Sequence, residues 1–286
     1  MSIGFNRLIL LHGPPGSGKT SLARALAQKL SIRLSAQYPQ CQLFEINSHN
    51  LFSKYFSESA TLVGQMFDRI LKLLEDGRVF IVLLIDEVET LLPSRMKAIG
   101  GGEPNDGIRV VNALLTALDK LRTKNNVLQS PVIVLTTSNL LQSMDPAFLD
   151  RADMKQFIDT PSTPAIYSIL RTGLHELIRA GIIISPSPIP CATEASLSLF
   201  RLPDAPSTRL WNCAKNCVGM SGRELGKTII LMHANYIQRS RCMLEEALNA
   251  LEKSVGDRRD ERGKRDSDSR IGRETAGLDG GSGRSL

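Results

Sequence analysis

The sequence predicts an α/β protein, a parallel sheet with helices on both faces, followed by a smaller all-helical unit. Three observations predict it. Short apolar runs alternate with amphipathic stretches through the first 160 residues, Val79 to Ile85 is apolar at every position, and strand signals fade after Pro161 and Pro164. Strands with helices between them need crossovers, which makes neighbouring strands parallel. A strand that is apolar throughout is one buried on both faces.

Each element follows in order. Leu8 to Leu11 is the first strand, then a Gly/Pro loop and a helix from about Lys19 to Leu30. Leu43 to Ile46 reads as a second strand. Leu62, Val63, Met66, Phe67, Ile70, Leu71 and Leu74 fall on one face of a helix. Val79 to Ile85 is the third strand. Val110, Val111, Leu114, Leu115, Leu118 and Leu121 mark the next amphipathic helix, Val132 to Leu135 the next strand, and Gln156 to Ile158 a short last one. Beyond the prolines, Ile166, Ile169, Leu170, Leu174, Leu177 and Ile178 pattern as a helix that ends near Gly181. Segments around 207–218, 221–238 and 242–252 also read as helical. The expected organisation is a large α/β domain over 1–160, a helical lid over 161–252 and a charged Gly/Arg-rich tail over 253–286. That tail buries too little apolar surface to offset its ordering entropy, and disorder is expected there.

Composition narrows the class. Apolar residues make up 42% and charged residues 22% of 286, as in soluble globular proteins, which excludes a fibrous or wholly disordered chain. The longest apolar run, Val79 to Ile85, is far short of the roughly 18 residues that span a bilayer. No charged region followed by an apolar stretch opens the sequence, so neither a secretory signal nor a membrane partner is expected. Five scattered cysteines suggest a reducing compartment. The net charge is +6, but residues 253–286 hold nine Lys/Arg and seven Asp/Glu, leaving 26 basic and 22 acidic residues elsewhere. With no basic run, direct nucleic-acid binding is not expected.

Chemistry concentrates in two places. Gly13-Pro14-Pro15-Gly16-Ser17-Gly18-Lys19-Thr20 matches G-x-x-x-x-G-K-[ST] in full, after a strand and opening a helix. Its glycines let backbone N–H groups converge on phosphate oxygens, and the helix start adds a positive field. Lys19 is placed to reach the β- and γ-phosphates, and the Thr20 hydroxyl to ligate Mg²⁺. Asp86-Glu87 ends the most apolar strand, where a carboxylate pair adds nothing to stability. That edge of a parallel sheet is where ligands bind. Asp86 is expected to hold hydrated Mg²⁺, and Glu87 to polarise the attacking water. Asn139, closing Thr136-Thr137-Ser138-Asn139, is placed to share that water. ATP with Mg²⁺ is the expected cofactor.

These motifs resemble AAA+ ATPases, and the wording resembles the pachytene-checkpoint branch that remodels HORMA-domain proteins. The matching segments include LLHGPPGSGKTSLARALAQKL, FEINSHNLFSKYFSES, LLIDEVETLLPSR, EPNDGIRVVNALLTALDKL, LTTSNL, DPAFLDRADMKQFI and MSGRELGKTIILMHA, together covering about residues 5–240. The resemblance implies an ATP-hydrolysing homo-hexameric unfoldase. Its clients would be HORMA-domain proteins, with or without a HORMA adaptor. It would work in meiotic recombination and the synapsis checkpoint, in the nucleus on chromosomes and also in the cytoplasm. It implies Asn139 as sensor 1, Arg223 of Ser221-Gly222-Arg223 as sensor 2, and Arg151 as an arginine finger. Arg109 and Arg95 are rival fingers, and a salt bridge to a nearby acid is the alternative for each Arg. Lys54-Tyr55-Phe56 takes the place of an aromatic pore loop, with packing into the core as the alternative for Tyr55 and Phe56. Ala98 to Gly107 takes that of a second pore loop. Members of the branch carry a recruitment domain and a linker ahead of the first strand, which this sequence does not include.

Two other functions compete. A clamp-loader-like AAA+ ATPase acting at DNA shares the phosphate site, and a truncated fragment that binds ATP without hydrolysing it shares the fold. The balanced charge of residues 1–252 opposes the first, and Glu87, Asn139 and Arg151 oppose the second. His175-Glu176 and Cys213 with Cys217 carry too few partners for a metal site.

Overall fold

The computed structural model describes residues 7–48, 59–75, 77–90, 104–128, 132–199, 202–237 and 239–259. Lys54, Tyr55, Phe56, Arg95 and most of the expected second pore loop lie outside them. The chain divides between Asp159 and Thr160 into two compact units.

The first unit is built on a five-stranded parallel sheet of order β2-β3-β4-β1-β5. Its strands are β1 (Leu8–His12), β2 (Gln40–Asn47), β3 (Val79–Asp86), β4 (Val132–Ser138) and β5 (Met154–Phe157). The connecting helices are α1 (Lys19–Leu34), α2 (Ser59–Leu74), α3 (Pro104–Leu128) and the short α4 (Pro146–Arg151). β3 lies second in the sheet and is buried from Val79 to Ile85. Its alternate residues serve two cores. Ile81, Leu83 and Ile85 join Val63, Phe67 and Ile70 of α2 and Val111 and Leu114 of α3. Phe80, Val82 and Leu84 join Ala23 and Ala27 of α1. That two-sided burial is the physical reason for a run without a polar residue. On the α1 side the alanines let helix and sheet approach closely.

β5 differs from expectation by two residues, running Met154–Phe157 rather than 156–158, and all four of its residues are exposed. It is one edge of the sheet, paired among the described residues with β1 only, so burial supplies no period from which to place it.

The second unit packs α5 (Thr163–Arg179), α6 (Ala192–Ser198), α7 (Pro206–Asn216), α8 (Gly222–Tyr236) and α9 (residues 244–259) around one core. Tyr167 lies at its centre, its ring centroid 5.4 Å from that of Trp211 and its hydroxyl donating to the Pro190 carbonyl at 2.9 Å. Cys213 and Cys217 are buried in this core, and burial pushes the Cys213 thiol up to about 12. Two features depart from the expected helical lid. Ile183–Ile184 and Cys242–Met243 form a small parallel pair, β6 and β7, so residues 242–243 are strand where helix was expected.

The second departure corrects the expected start of disorder. α9 continues through Lys253 to residue 259, with Ser254 and Val255 buried at 4% and 3% exposure. Leu244, Ala247, Leu248, Leu251 and Val255 keep one helical face apolar. Arg258 Nη1 donates to the Glu224 carbonyl at 3.0 Å, fastening the last turn to α8. The charged composition from 253 onward hid a stripe that ends only at Val255.

Candidate active site

The carboxyl ends of β1, β3 and β4 meet at one place, because β4 lies between the other two. β1 runs directly into the loop Gly13–Gly18, which opens α1. Gly13 has φ +150°, and a Cβ there would lie 2.1 Å from the Ile158 carbonyl oxygen, so no side chain fits. Gly16 and Gly18, at φ +74° and +96°, supply the left-handed turns that bring the chain round to the helix start. The first N–H groups of α1 then open toward the loop without intrahelical partners. Lys19 is only 6% exposed; its ammonium donates to the carbonyls of Gly13 at 2.9 Å and Pro14 at 2.8 Å. Burial pushes the Lys19 pKa down, and the charges of Glu89, Asp86 and Glu87 oppose that shift.

Asp86 is the hub. Its Oδ1 accepts from the Thr20 hydroxyl at 2.8 Å and from the Thr137 hydroxyl, while Ser48 Oγ donates to its carbonyl at 2.5 Å. Glu87 follows in the left-handed region at φ +54°, its N–H donating to Thr137 Oγ1 at 3.1 Å. The Glu87 carbonyl then accepts from Thr90 Oγ1 at 2.8 Å, closing the turn. Across the junction, Glu89 Oε1 accepts the Asn139 N–H at 2.9 Å. Glu89 Oε2 and Ser17 Oγ are buried without hydrogen-bond partners among the described residues. Beside the loop a cleft of about 280 Å³ is bounded by His12, Pro14, Asn139, Leu140 and Phe157. The rings of His12 and Phe157 stand 5.4 Å apart.

The structure therefore gathers Gly13, Pro14, Pro15, Gly16, Ser17, Gly18, Lys19, Thr20, Asp86, Glu87 and Asn139 at one sheet edge. It fits a magnesium nucleotide. The loop offers backbone donors and an unpaired Ser17 hydroxyl to phosphate oxygens, with a buried ammonium beside them. Thr20 and Asp86 form a hard oxygen pair of the kind Mg²⁺ takes.

The arginines are placed differently. Arg151 ends α4, a helix set by Asp145, whose Oδ1 caps the Ala147 N–H at 2.8 Å, and by Pro146 at its first turn. Arg151 is brought to Asp119 of α3, to which it donates twice, and to the Ala147 carbonyl. Arg109 is an exposed residue of α3. Arg223 is exposed in the first turn of α8, in the second unit, behind a capping box in which Ser221 and Glu224 satisfy each other's backbone N–H.

Sequence reading missed Thr137, Glu89, Ser48 and Asp119. Glu89 had a visible signal, a third acid in Asp86-Glu87-Val88-Glu89, and Thr137 another, a hydroxyl where β4 could have placed valine. Ser48 and Asp119 had none.

Comparison with known proteins follows the same division of the chain. Residues 9–160 match the model of the ATPase family associated with various cellular activities (AAA), and residues 162–259 match the TRIP13-like AAA+ ATPase lid C-terminal domain. The chain is similar to the pachytene checkpoint protein 2 homolog of Danio rerio, 46% identical over 261 residues that cover 91% of this chain and 60% of that protein. The Arabidopsis thaliana homolog is 48% identical over 245 residues, covering 81% and 51%, and the Homo sapiens homolog 45% over 264 residues, covering 92% and 60%. The chain thus spans between half and three-fifths of the length of these relatives. Among solved structures it resembles C. elegans PCH-2, with TM-score 0.68 and 38% identity over 90% of this chain and 63% of that one. It shares its fold with the E. coli MS115-1 HORMA:CdnC:Trip13 complex, with TM-score 0.63 and 19% identity over 88% and 75%.

Proposed function

Since the chain belongs to the AAA family of ATPases, we propose that it hydrolyses ATP with Mg²⁺ and uses the cycle to remodel HORMA-domain proteins as a homo-hexamer. The observation that carries this reading is the hydrogen bond from Thr20 Oγ1 to Asp86 Oδ1 at 2.8 Å, which joins the phosphate loop to the acidic strand end. The loop binds the phosphates through its N–H groups and Lys19; Thr20 and Asp86 would hold Mg²⁺, which would offset charge on the phosphoryl oxygens. Glu87 takes the proton of the attacking water, and Asn139 orients that water. Arg151 serves the neighbouring subunit's site and Arg223 its own. Lys54, Tyr55 and Phe56 grip the client.

The choice of client is supported by the TRIP13-like lid, by relatives that carry the pachytene checkpoint name, and by the HORMA component named for the E. coli complex. Action in the meiotic recombination and synapsis checkpoint, at chromosomes in the nucleus and also in the cytoplasm, is part of this reading, and the pachytene checkpoint name of those relatives supports its meiotic part. A HORMA adaptor is part of this reading.

The test separates binding from chemistry. Glu87→Gln keeps size and polarity but removes the base, so ATP still binds while turnover falls by about 10²-fold or more. Lys19→Ala weakens ATP binding itself. Near-normal hydrolysis by Glu87→Gln overturns the assignment.

A further inference from the structure

Thr137 is 2% exposed, one residue from the end of a strand whose first four residues are apolar. Valine has nearly the same shape and is a good strand former, so the hydroxyl asks for a reason. Thr136 beside it spends its hydroxyl within the sheet, on the Ile9 carbonyl at 3.2 Å. Thr137 spends its own on the turn after β3. Its Oγ1 donates to Asp86 Oδ1 and accepts the Glu87 N–H at 3.1 Å.

Glu87 needs such a holder. It is one of two non-glycine residues with positive φ among the described residues, at +54°. L-residues visit that region at a cost and stay there only when their surroundings hold them. Its amide lies beyond the β3–β4 register, whose last pair is Ile85 with Thr136, and the Thr137 hydroxyl satisfies it. One oxygen therefore sets the strained backbone of Glu87 and the carboxylate of Asp86 together. Glu89 ties the junction from the other side, through the Asn139 N–H at 2.9 Å.

We propose that Thr137 is a positioning residue for ATP hydrolysis, fixing the backbone from which Glu87 projects and its register with Asp86 before nucleotide arrives. The inference rests on the assignment of Glu87 as the general base. It gives Thr137 no contact with ATP, so the effect should fall on turnover and not on affinity.

The experiment compares Thr137→Val, Thr137→Ser, Glu87→Gln and the Thr137→Val/Glu87→Gln double variant in the 286-residue chain. Turnover, ATP Kd, melting temperature and amide hydrogen exchange over residues 84–90 are measured on each. Thr137→Val is expected to lower kcat at least tenfold, with Kd within threefold of wild type and melting within a few degrees. In the absence of nucleotide, exchange over residues 84–90 should quicken while that of β1 stays unchanged. Thr137→Ser, which keeps the hydroxyl, should recover at least half of the turnover and the protection. In the double variant the valine should cost less than a further twofold, because it acts through Glu87. If the valine variant does not fold, Thr137→Ala carries the same expectations. Full turnover in Thr137→Val beside an inactive Glu87→Gln overturns the positioning role alone. Normal turnover in Glu87→Gln overturns the base assignment and the positioning role with it. Unchanged exchange, multiplicative losses in the double variant, or a joint collapse of melting and affinity that serine shares would each overturn the proposal.

Discussion

Arg151 holds Asp119 with a two-pronged ion pair, Nε to Oδ1 at 3.0 Å and Nη2 to Oδ2 at 2.8 Å, while its Nη1 donates to the Ala147 carbonyl at 2.7 Å. The pair ties the end of α4 to α3, with side-chain exposures of 27% and 41%. Its fork geometry is the one in which arginine recognises planar anions. The same fork suits a phosphoryl group, so Asp119 and a neighbour's nucleotide compete for one guanidinium if Arg151 is the finger.

That competition makes the two roles separable. As a finger, Arg151→Ala should lose turnover by about 10³-fold or more, while Asp119→Asn, which leaves the guanidinium in place, should keep most of it. Arg151→Ala subunits mixed with Glu87→Gln subunits should regain activity in verified mixed rings. As a structural pair, both variants should lose the same small stability, about 1 kcal/mol or less for a partly exposed bridge, with hydrolysis retained. ATPase rates and melting temperatures on the two single variants decide.

The Asp119 pair also has a pH signature. The hydrogen bond from Arg151 holds the Asp119 carboxyl below its ordinary value. A carboxyl with a depressed folded pKa stabilises above its unfolded pKa of about 3.9 and loses that contribution as pH falls through the folded value. The melting difference between wild type and Asp119→Asn should therefore be constant from about pH 7 to pH 5 and shrink below about pH 4. A difference unchanged at the lowest pH would mean that the charge of Asp119 contributes nothing.

Glycine substitutions should rank by local geometry. Gly13→Ala puts a Cβ 2.1 Å from a backbone oxygen at φ +150°, and overpacking of that kind costs about 1–3 kcal/mol. ATP affinity should fall with it. Gly18→Ala meets no atom within 4 Å but keeps φ +96°, so about 1–2 kcal/mol of backbone strain is expected. Gly64→Ala, in α2 with open space at its Cβ and no positive φ, should gain about 0.5–1 kcal/mol instead. Melting curves on the three variants check the order.

Tyr55 stands between Lys54 and Phe56 in a polar stretch, Ser53 to Ser57, well before the apolar period that starts at Leu62. An exposed ring grips polypeptide without reading its sequence, so Tyr55→Ala should keep melting temperature and basal ATP turnover but lose conversion of a HORMA-domain client. A buried ring would instead cost about 3–5 kcal/mol on truncation, visible as a lower melting temperature.

The sequence by itself determined the elements and the local half of the site. Gly13 to Thr20 is legible because phosphate binding needs positive φ, close backbone and one lysine within eight consecutive residues. Asp86-Glu87 is legible because two acids after seven apolar residues serve no packing purpose. The face of α2 follows from its helical period, and the burial of β3 from a run without a polar residue. Two elements misled: β5 is exposed at every residue and so carries no period, and the apolar stripe of α9 is masked by the charges around it.

Only the tertiary structure decided which side chains hold those parts in place. Thr137 lies 51 positions from Asp86, Asn139 lies 50 from Glu89, and Arg151 lies 32 from Asp119. Each contact is made by strand order or helix packing, and neither leaves a mark on the local sequence. A threonine near a strand end reads as an ordinary β-branched residue until register sets Thr136 opposite Ile85. That placement brings the next hydroxyl, on Thr137, to the amide of Glu87 and the carboxylate of Asp86.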